Sequence, residues 1–259
     1  MTASEAPEKL TRPDGETLAY HARPGKKPTV VWFGGFKSDM TGTKATALDA
    51  WAAARGQAFV RFDYFGHGAS SGDFADGTIG RWLDDGLAIL HEVARGPVVL
   101  VGSSMGGWLA LLAARALSAQ GEGDRVRAMV LIAPAPDFTE TLMWNTFSPE
   151  VRREIEETGR HEQPSAYDEA PQVITRRLIE EGREHLLLGR PIELSCPVRI
   201  LQGMQDEDVP WRHAFKLVEA VTSADLTFTL VKSGDHRLSS QPDIARLAAV
   251  LDEVTRSRE

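Results

Sequence analysis

The chain has 259 residues, of which 42% are hydrophobic and 25% charged, and its formal net charge is −8. This composition is typical of a globular domain, and the acidic charge disfavours nucleic acid and anionic membranes as partners. No apolar run reaches the ~18 residues that a membrane-spanning helix needs, so we expect no integral membrane segment. The opening residues Met1–Lys9 are polar and carry two acids, which argues against a signal or transit peptide and predicts a cytoplasmic protein.

The single cysteine, Cys196, narrows the chemistry further. One cysteine permits neither an intrachain disulfide nor a cysteine-based metal site. Because Cys196 precedes Pro197 at the start of an apolar run, we expect it to be a buried structural thiol rather than a reactive one.

The first half of the chain alternates between predicted strands and helices. Continuous apolar strands such as Thr29–Phe33 are typical of parallel sheets that are buried on both faces. Strands are predicted over 16–22, 29–33, 57–62, 97–101 and 126–132, with helices over 41–54 and 78–93 and a third ending near 117. Alternation at this spacing predicts a doubly wound α/β domain with a mostly parallel sheet.

The regular alternation then stops. Between 137 and 191 the chain has charged helical patterns over 149–157 and 170–188 and no predicted strand. An insertion of this length is typical of a helical cap over the carboxyl edge of a sheet. We therefore divide the chain into a first core part, 1–136, the cap, 137–191, and a second core part, 192–259. The second part resumes the alternation, with strands over 197–201 and 226–231 and helices over 210–221 and 242–255.

Ser104 is the candidate nucleophile. The strand over 97–101 runs into Gly102-Ser103-Ser104-Met105-Gly106 and then into an Ala-rich helical pattern, which is the strand-turn-helix context of a nucleophile elbow. The turn holds the serine in a strained conformation, so the residues two before and two after it must be small. Gly102 and Gly106 flank Ser104 in this way, whereas the bulky Val101 stands two residues before Ser103.

A serine nucleophile needs a general base, and His236 is the candidate. It lies in the loop after the last predicted strand, where the histidine of a Ser-acid-His chain order is found. His67 lies in the glycine-rich loop after the strand over 57–62, and we assign it a hydrogen-bonding role in that loop rather than catalysis. The remaining histidines are expected on solvated surfaces: His21, His91, His161, His185 and His213.

The acid that orients the histidine is assigned to the segment Gly203–Pro210. This segment follows a strand and precedes a helix, so its carboxylates lie at the carboxyl edge of the sheet. Asp206 is preferred for its Asp-x-x-Val-Pro placement, and Asp208 is the alternative. Asp235 is adjacent to His236, but neighbouring side chains point apart in extended backbone, so we expect Asp235 to brace its own loop.

Backbone donors must stabilise the tetrahedral intermediate of acyl transfer. The expected donors are the N–H of Met105, directly after the nucleophile, and the N–H of Phe36, in the loop after an early strand. Gly34-Gly35 allows that loop to fold back closely. The sequence has no phosphate-binding glycine motif and no His-Glu-x-x-His zinc motif, so we expect no metal and no cofactor.

These segments resemble the α/β-hydrolase superfamily from about Gly15 to Val254. Within it they are similar to the branch that contains the mitochondrial S-depalmitoylase also described as an acyl-glucuronide esterase. The resemblance implies hydrolysis of carboxylic esters or thioesters in a small-molecule or acylated substrate, with Ser104, Asp206 and His236 as triad. The segments that carry it are Phe33–Ala45, Arg61–Tyr64, Gly102–Leu109, Gly203–Asp206 with Val209–Trp211, and Ser233–Arg237.

The sequence leaves open both the reaction and the role of the insertion. Acyl transfer to another acceptor, or perhydrolysis, would use the same triad, and a catalytically silent ligand-binding protein would keep the same scaffold. The filled triad positions favour a hydrolase. Four large apolar side chains of the insertion either line an acyl pocket or anchor the cap: Phe138, Leu142, Trp144 and Phe147.

Overall fold

An eight-stranded mixed sheet forms the centre of the computed structural model, which describes residues 6–164 and 171–256. Its strands are β1 (Glu8–Thr11), β2 (Thr17–Arg23), β3 (Lys26–Phe33), β4 (Gln57–Phe62), β5 (Val98–Ser103), β6 (Val126–Ile132), β9 (Val198–Gly203) and β10 (Leu226–Val231). A separate antiparallel pair consists of β7 (Arg160–Gln163) and β8 (Gln172–Thr175). The spatial order of the large sheet is β1-β2-β4-β3-β5-β6-β9-β10.

From β4 to β10 every neighbouring pair is parallel, whereas β2 is antiparallel to both β1 and β4. The prediction of a mostly parallel α/β sheet is therefore confirmed. The α-helices are α1 (Thr43–Arg55), α2 (Ile79–Ala88), α3 (Met105–Ala119), α4 (Pro149–Thr158), α5 (Arg176–Gly182), α6 (Trp211–Ala220) and α7 (Gln241–Val254).

Helices cover both faces of the sheet, and strand β5 shows how the two cores are divided. Val98 and Leu100 point into the core that contains residues of α2 and α3. Val99 and Val101 point into the core that contains residues of α1 and α7. Because successive side chains alternate between faces, a strand buried on both sides reads as a continuous apolar run.

In the first half of the chain, one strand was not predicted and one helix differs from its prediction. Strand β1 is absent from the predicted elements; it pairs with β2 across a turn at Asp14-Gly15, with Leu10 opposite Leu18. The helix predicted over 78–93 is an α-helix only to Ala88. It continues as a π-helical turn over Ile89–Val93.

The segment between β6 and β9 contains more than helices. A π-helical turn over Thr139–Trp144 leads to α4, then to the pair β7–β8 and to α5, so the prediction of no strand here is wrong. The second predicted helix starts at Ala170, which lies outside the described residues. In the structure α5 begins at Arg176, because the Thr175 hydroxyl caps it by accepting from the N–H of Leu178 at 3.1 Å. A small apolar core joins these elements: Ile155, Ile174 and Ile179.

The parallel strands bring six connections to one edge of the sheet, where α/β proteins bind their ligands. Four of them take the name of the strand that they follow: the β3 loop (34–42), the β4 loop (63–72), the β9 loop (204–210) and the β10 loop (232–240). The fifth is the sharp turn at Ser104 between β5 and α3, and the sixth leads from β6 into the segment over 137–191. No helix in the described part of the chain is long and apolar enough to cross a membrane.

Candidate active site

Ser104 lies on a strained turn between β5 and α3. Its φ of 55° and ψ of −119° place a non-glycine residue in the left-handed half of backbone space. Hydrogen bonds fix the peptide on both sides: the Ser104 N–H donates to Ile132 O at 2.9 Å, and its carbonyl accepts from the N–H groups of Gly107 and Ala135. The serine side chain is thereby presented at the carboxyl edge of the sheet.

Close backbone approach explains the two glycines that flank this turn. A Cβ at Gly102 would lie 2.3 Å from Gly106 O, and a Cβ at Gly106 would lie 2.1 Å from Phe33 O. Both distances are far below van der Waals contact, so no larger residue fits either position without moving backbone. The geometry therefore requires small residues two before and two after Ser104. Only Ser104, and not Ser103, has glycine at both of these positions.

Ser104, His236 and Asp206 form one chain of hydrogen bonds. His236 Nε2 lies 3.1 Å from Ser104 Oγ, and His236 Nδ1 lies 2.9 Å from Asp206 Oδ2. The Asp206 side chain is fully buried, whereas His236 keeps 17% of its side-chain surface exposed. The carboxylate requires a proton on Nδ1, which leaves the Nε2 lone pair directed at the serine hydroxyl.

Further donors hold the Asp206 carboxylate in place. Its Oδ1 accepts from the N–H groups of Asp208 and Val209, at 3.1 and 2.8 Å, and its Oδ2 also accepts from Gln202 Nε2 at 2.9 Å. The candidate alternative, Asp208, is exposed and contributes a backbone N–H to this arrangement. These donors fix the direction in which the carboxylate faces His236.

The β9 and β10 loops meet because their strands are parallel neighbours. A Cβ at Gly203 would lie 2.4 Å from the carbonyl oxygens of both Gly234 and Asp235. Met204 N–H donates to Val231 O and Gln205 N–H to Gly234 O, each at 2.9 Å. Glycine at the end of β9 therefore allows the acid and the histidine to approach, and Asp235 braces its own loop by accepting from the Leu238 N–H.

The β3 loop passes directly over the turn at Ser104. A Cβ at Gly35 would lie 3.6 Å from Ser104 Cβ and 3.4 Å from Ser103 O. Phe36 and Met105 line the same cleft as Ser104 and His236, and Met105 is the first residue of α3. Both residues predicted as oxyanion donors are thus beside the serine, and their roles stay a prediction.

A cleft of about 860 Å³ opens above these residues. One wall is apolar and comes from the insertion; it includes Phe138, Leu142, Met143 and Phe147. Polar lining residues come from the β3 and β10 loops and include Ser38, Asp39 and Arg237. Of the four insertion side chains considered as pocket or anchor, Trp144 is not among the lining residues; it packs beneath the guanidinium groups of Arg152 and Arg183.

One group of potential metal ligands occurs among the described residues. Single donor atoms of Asp206, Asp208 and His236 lie within 4.8 Å of one another. His236 Nδ1 is already hydrogen-bonded to Asp206 Oδ2, so a metal ion there would compete with the bond that orients the histidine.

Comparison with known proteins identifies the fold family. The sequence model of the Alpha/beta hydrolase family matches residues 31–251. The chain belongs to this family. The expected resemblance is confirmed, and so is the fold that it implies.

Three relatives of this hydrolase match nearly its whole length. The mitochondrial palmitoyl-protein thioesterase ABHD10 of Rattus norvegicus is 40% identical over 246 residues, which are 95% of this chain and 81% of that protein. A crystal structure from Agrobacterium vitis S4 is 44% identical, with a TM-score of 0.92 over 96% of this chain and 98% of that one. The structure of mouse alpha/beta hydrolase domain-containing protein 10 gives 39% identity and a TM-score of 0.87 over the same shares.

The expectation of a cytoplasmic hydrolase is wrong. Curated relatives 38–40% identical to this chain are mitochondrial proteins by name, those of rat and human among them. The expectation depended on the polarity of residues 1–9 alone, and polar opening residues do not by themselves determine the compartment in which a folded domain works.

Two histidines and the single cysteine are buried away from the triad residues. Cys196 is buried as expected, and burial raises the pKa of its thiol to about 11, so it is inert at neutral pH. His213 is buried rather than solvated: its Nε2 lies 2.8 Å from Pro136 O, and burial lowers its pKa. His67 is buried, and its two ring nitrogens lie within hydrogen-bond distance of Phe65 O and of the Lys37 N–H.

Sequence reasoning missed two polar residues that support the site. Gln202 is fully buried, and its Nε2 donates to Asp206. The sequence feature that could have pointed to it is an amide side chain at the end of the buried strand β9. Lys44, in the first turn of α1, donates to Arg237 O and lies 3.4 Å from Ser239 Oγ, both in the β10 loop. Burial lowers the pKa of Lys44 to about 8. The sequence feature that could have pointed to Lys44 is its place at the start of a predicted helix, two residues after Gly42.

Proposed function

We propose that this protein is a serine hydrolase that cleaves carboxylic esters or acyl thioesters through an acyl-enzyme intermediate. The observation that carries the proposal is the hydrogen-bonded chain Asp206–His236–Ser104, which ends on a serine held at positive φ in a cleft. A neutral histidine beside a serine hydroxyl supplies the general base that this poor nucleophile needs.

The chemistry requires one proton to move in each step. His236 Nε2 takes the proton of Ser104 Oγ as the oxygen attacks the acyl carbonyl, and Asp206 stabilises the imidazolium that forms. The carbonyl oxygen becomes an oxyanion, which the backbone N–H groups of Phe36 and Met105 stabilise. Collapse breaks the bond to the leaving group, which receives the proton from His236, and water then hydrolyses the acyl-enzyme by the same sequence.

The apolar wall of the cleft supports an acyl chain as the group transferred to Ser104. Phe138, Leu142 and Phe147 line this wall next to the serine, and burial of methylene groups against such side chains stabilises a bound chain by roughly 0.8 kcal/mol each. Relatives 38–40% identical are palmitoyl-protein thioesterases. We therefore infer a thioester or ester of a fatty acid as the substrate class.

The segment over 137–191 acts in this proposal as a cap that builds the acyl wall. It is anchored to the core, since the Gly80 N–H of α2 donates to Glu181 Oε1 and Trp108 Nε1 of α3 donates to His185 O. Within the segment, Asp137 accepts from the N–H groups of Leu187 and Leu188 and so ties its two ends together. The division into two core parts, 1–136 and 192–259, follows from this role.

The decisive experiment replaces the nucleophile. Ser104→Ala should lower kcat for p-nitrophenyl esters and acyl thioesters by at least about 10⁴-fold, and the acyl-enzyme mass that intact-protein spectrometry detects in the wild type should be absent. Ser103→Ala is the matched control and should keep most of the activity. Full activity in Ser104→Ala would overturn the proposal.

A further inference from the structure

His67 of the β4 loop is buried beside the candidate site and is not part of the triad. Only 4% of it is exposed, and its ring packs edge-to-face against Tyr64, Phe74 and Trp82 with centroids 5.1–5.5 Å apart. Burial lowers the pKa of His67 to about 4, so at neutral pH the ring is uncharged and carries a single N–H.

The hydrogen bonds of this ring determine which nitrogen carries the proton. Nδ1 lies 3.0 Å from Phe65 O, and because a carbonyl oxygen only accepts, the proton is on Nδ1. Nε2 therefore has a lone pair, and it accepts the backbone N–H of Lys37 at 3.3 Å. His67 thus links the β4 loop, through Phe65, to the β3 loop, through Lys37.

This link acts on the residue next to the expected oxyanion donor. Lys37 has a φ of 59°, a conformation that a non-glycine residue keeps only where its surroundings hold it. The Phe36 ring is fixed separately, by edge-to-face contacts with Phe74, Trp82 and Phe138. With its ring and the following peptide both held, Phe36 has little freedom to turn its own N–H away from the cleft.

A second bond between the same loops lies farther along the chain. Asp63 accepts from the N–H of Met40 at 2.6 Å and from the N–H of Ala69 at 2.8 Å. Asp63 therefore fixes the far end of the β3 loop, three residues beyond Lys37. Tyr64 Oη also donates to Gly34 O at 3.4 Å, at the start of the β3 loop. Between these two points, His67 holds the peptide directly after Phe36.

We propose that His67 is a positioning residue, which holds the β3 loop so that the Phe36 N–H points at the oxyanion. The inference depends on the proposed function, because it assigns a supporting residue to that reaction. His67 does not touch the reacting atoms; it acts through Lys37 and Phe36. Its absence should weaken binding of the tetrahedral state more than binding of the substrate.

Two amide substitutions separate this role from bracing of the β4 loop. His67→Asn can place an N–H where Nδ1 was, so it keeps the bond to Phe65 O and loses the acceptor for Lys37. His67→Gln reaches the position of Nε2 with its carbonyl oxygen, so it keeps the acceptor for Lys37 and loses the donor to Phe65.

The readouts are kcat, KM and the affinity for an acyl trifluoromethyl ketone, which forms a tetrahedral adduct with an active serine. In His67→Asn we expect kcat to fall roughly 10- to 100-fold with KM within about threefold, since loss of a whole oxyanion donor costs about 10²–10³. The ketone should bind more weakly by the same factor. His67→Gln should stay within about threefold of the wild type in all three.

Equal losses in the two variants, or a larger loss in His67→Gln, would overturn the inference, since bracing through Phe65 predicts that order. If His67→Asn fails to fold by circular dichroism, His67→Phe replaces it, because that ring keeps the aromatic packing and has no acceptor. Activity in Ser104→Ala would refute the proposed function itself. Inactive Ser104→Ala with a fully active His67→Asn would refute only the role of His67.

Discussion

At the scale of single residues, two carboxylates lie near His236 and their contacts distinguish them. Asp206 is buried, 2.9 Å from His236 Nδ1, and holds donors from three other groups. Asp208 is exposed and offers a backbone N–H to Asp206. A carboxylate that must hold one tautomer and stabilise an imidazolium needs the first environment.

Replacing each acid by its amide tests this assignment. Asp206→Asn should lower kcat by about 10⁴-fold, because the amide permits the wrong histidine tautomer, with little change in unfolding midpoint. Asp208→Asn, the matched control, should stay within about threefold, since it keeps its backbone N–H. Steady-state rates with a p-nitrophenyl ester measure both, and the reverse order would assign the acid to Asp208.

At the scale of elements, the strands of apolar or alternating sequence could be predicted and the short polar strands could not. The run Val126–Ile132 is predicted with its observed ends because each face of the strand is buried and apolar residues fill both. β1 and β7 are short and polar, with sequences EKLT and RHEQ. They are strands because a partner supplies their hydrogen bonds, and that partner is not visible in their composition.

The residues of the candidate site also fall into those that local sequence could predict and those that it could not. Ser104, Asp206 and His236 could be predicted because each stands in a loop of recognisable local sequence directly after a strand. His67 and Lys44 support the site through contacts across the fold. Lys37 and His67 are 30 residues apart, and Lys44 and Arg237 are 193 apart. Local patterns cannot show which distant backbone group a side chain will bind.

The π-helical turn over Thr139–Trp144 contributes Leu142 and Met143 to the lining of the cleft, and the proposed acyl-binding role of that lining yields a prediction. Leu142→Trp adds bulk at the cleft, so kcat/KM for a 16-carbon acyl substrate should fall at least about tenfold relative to a 4-carbon one. Trp144→Ala, in the same turn but outside the lining residues, should leave the ratio of the two unchanged. Rates over a series of acyl chain lengths measure this ratio. An unchanged ratio in Leu142→Trp would show that the acyl chain binds away from Leu142.

At the scale of the whole molecule, buried ionisable groups on several loops and helices have opposing effects on the pH dependence of stability. Burial lowers the pKa of His67 and His213, so the folded state binds fewer protons there than the unfolded chain, and stability is lost as the pH falls below about 6.5. Burial raises the pKa of Asp85 to about 6 and also that of Asp63 and Asp137. These acids add stability as the pH falls, so the net curve conceals each contribution.

Subtracting a variant isolates one group. His67→Gln has no titrating ring at position 67, so the difference in unfolding free energy between wild type and variant reports His67 alone. The folded pKa of His67 is about 4, against about 6.5 unfolded, and the stability that it contributes is present above pH 6.5. We expect the wild-type advantage to shrink by about 3 kcal/mol between pH 6.5 and 4. Urea unfolding at half-unit steps measures it, and His213→Gln should show the same sign. A difference independent of pH would show that the pKa of His67 is the same in the folded and unfolded states and would contradict the prediction.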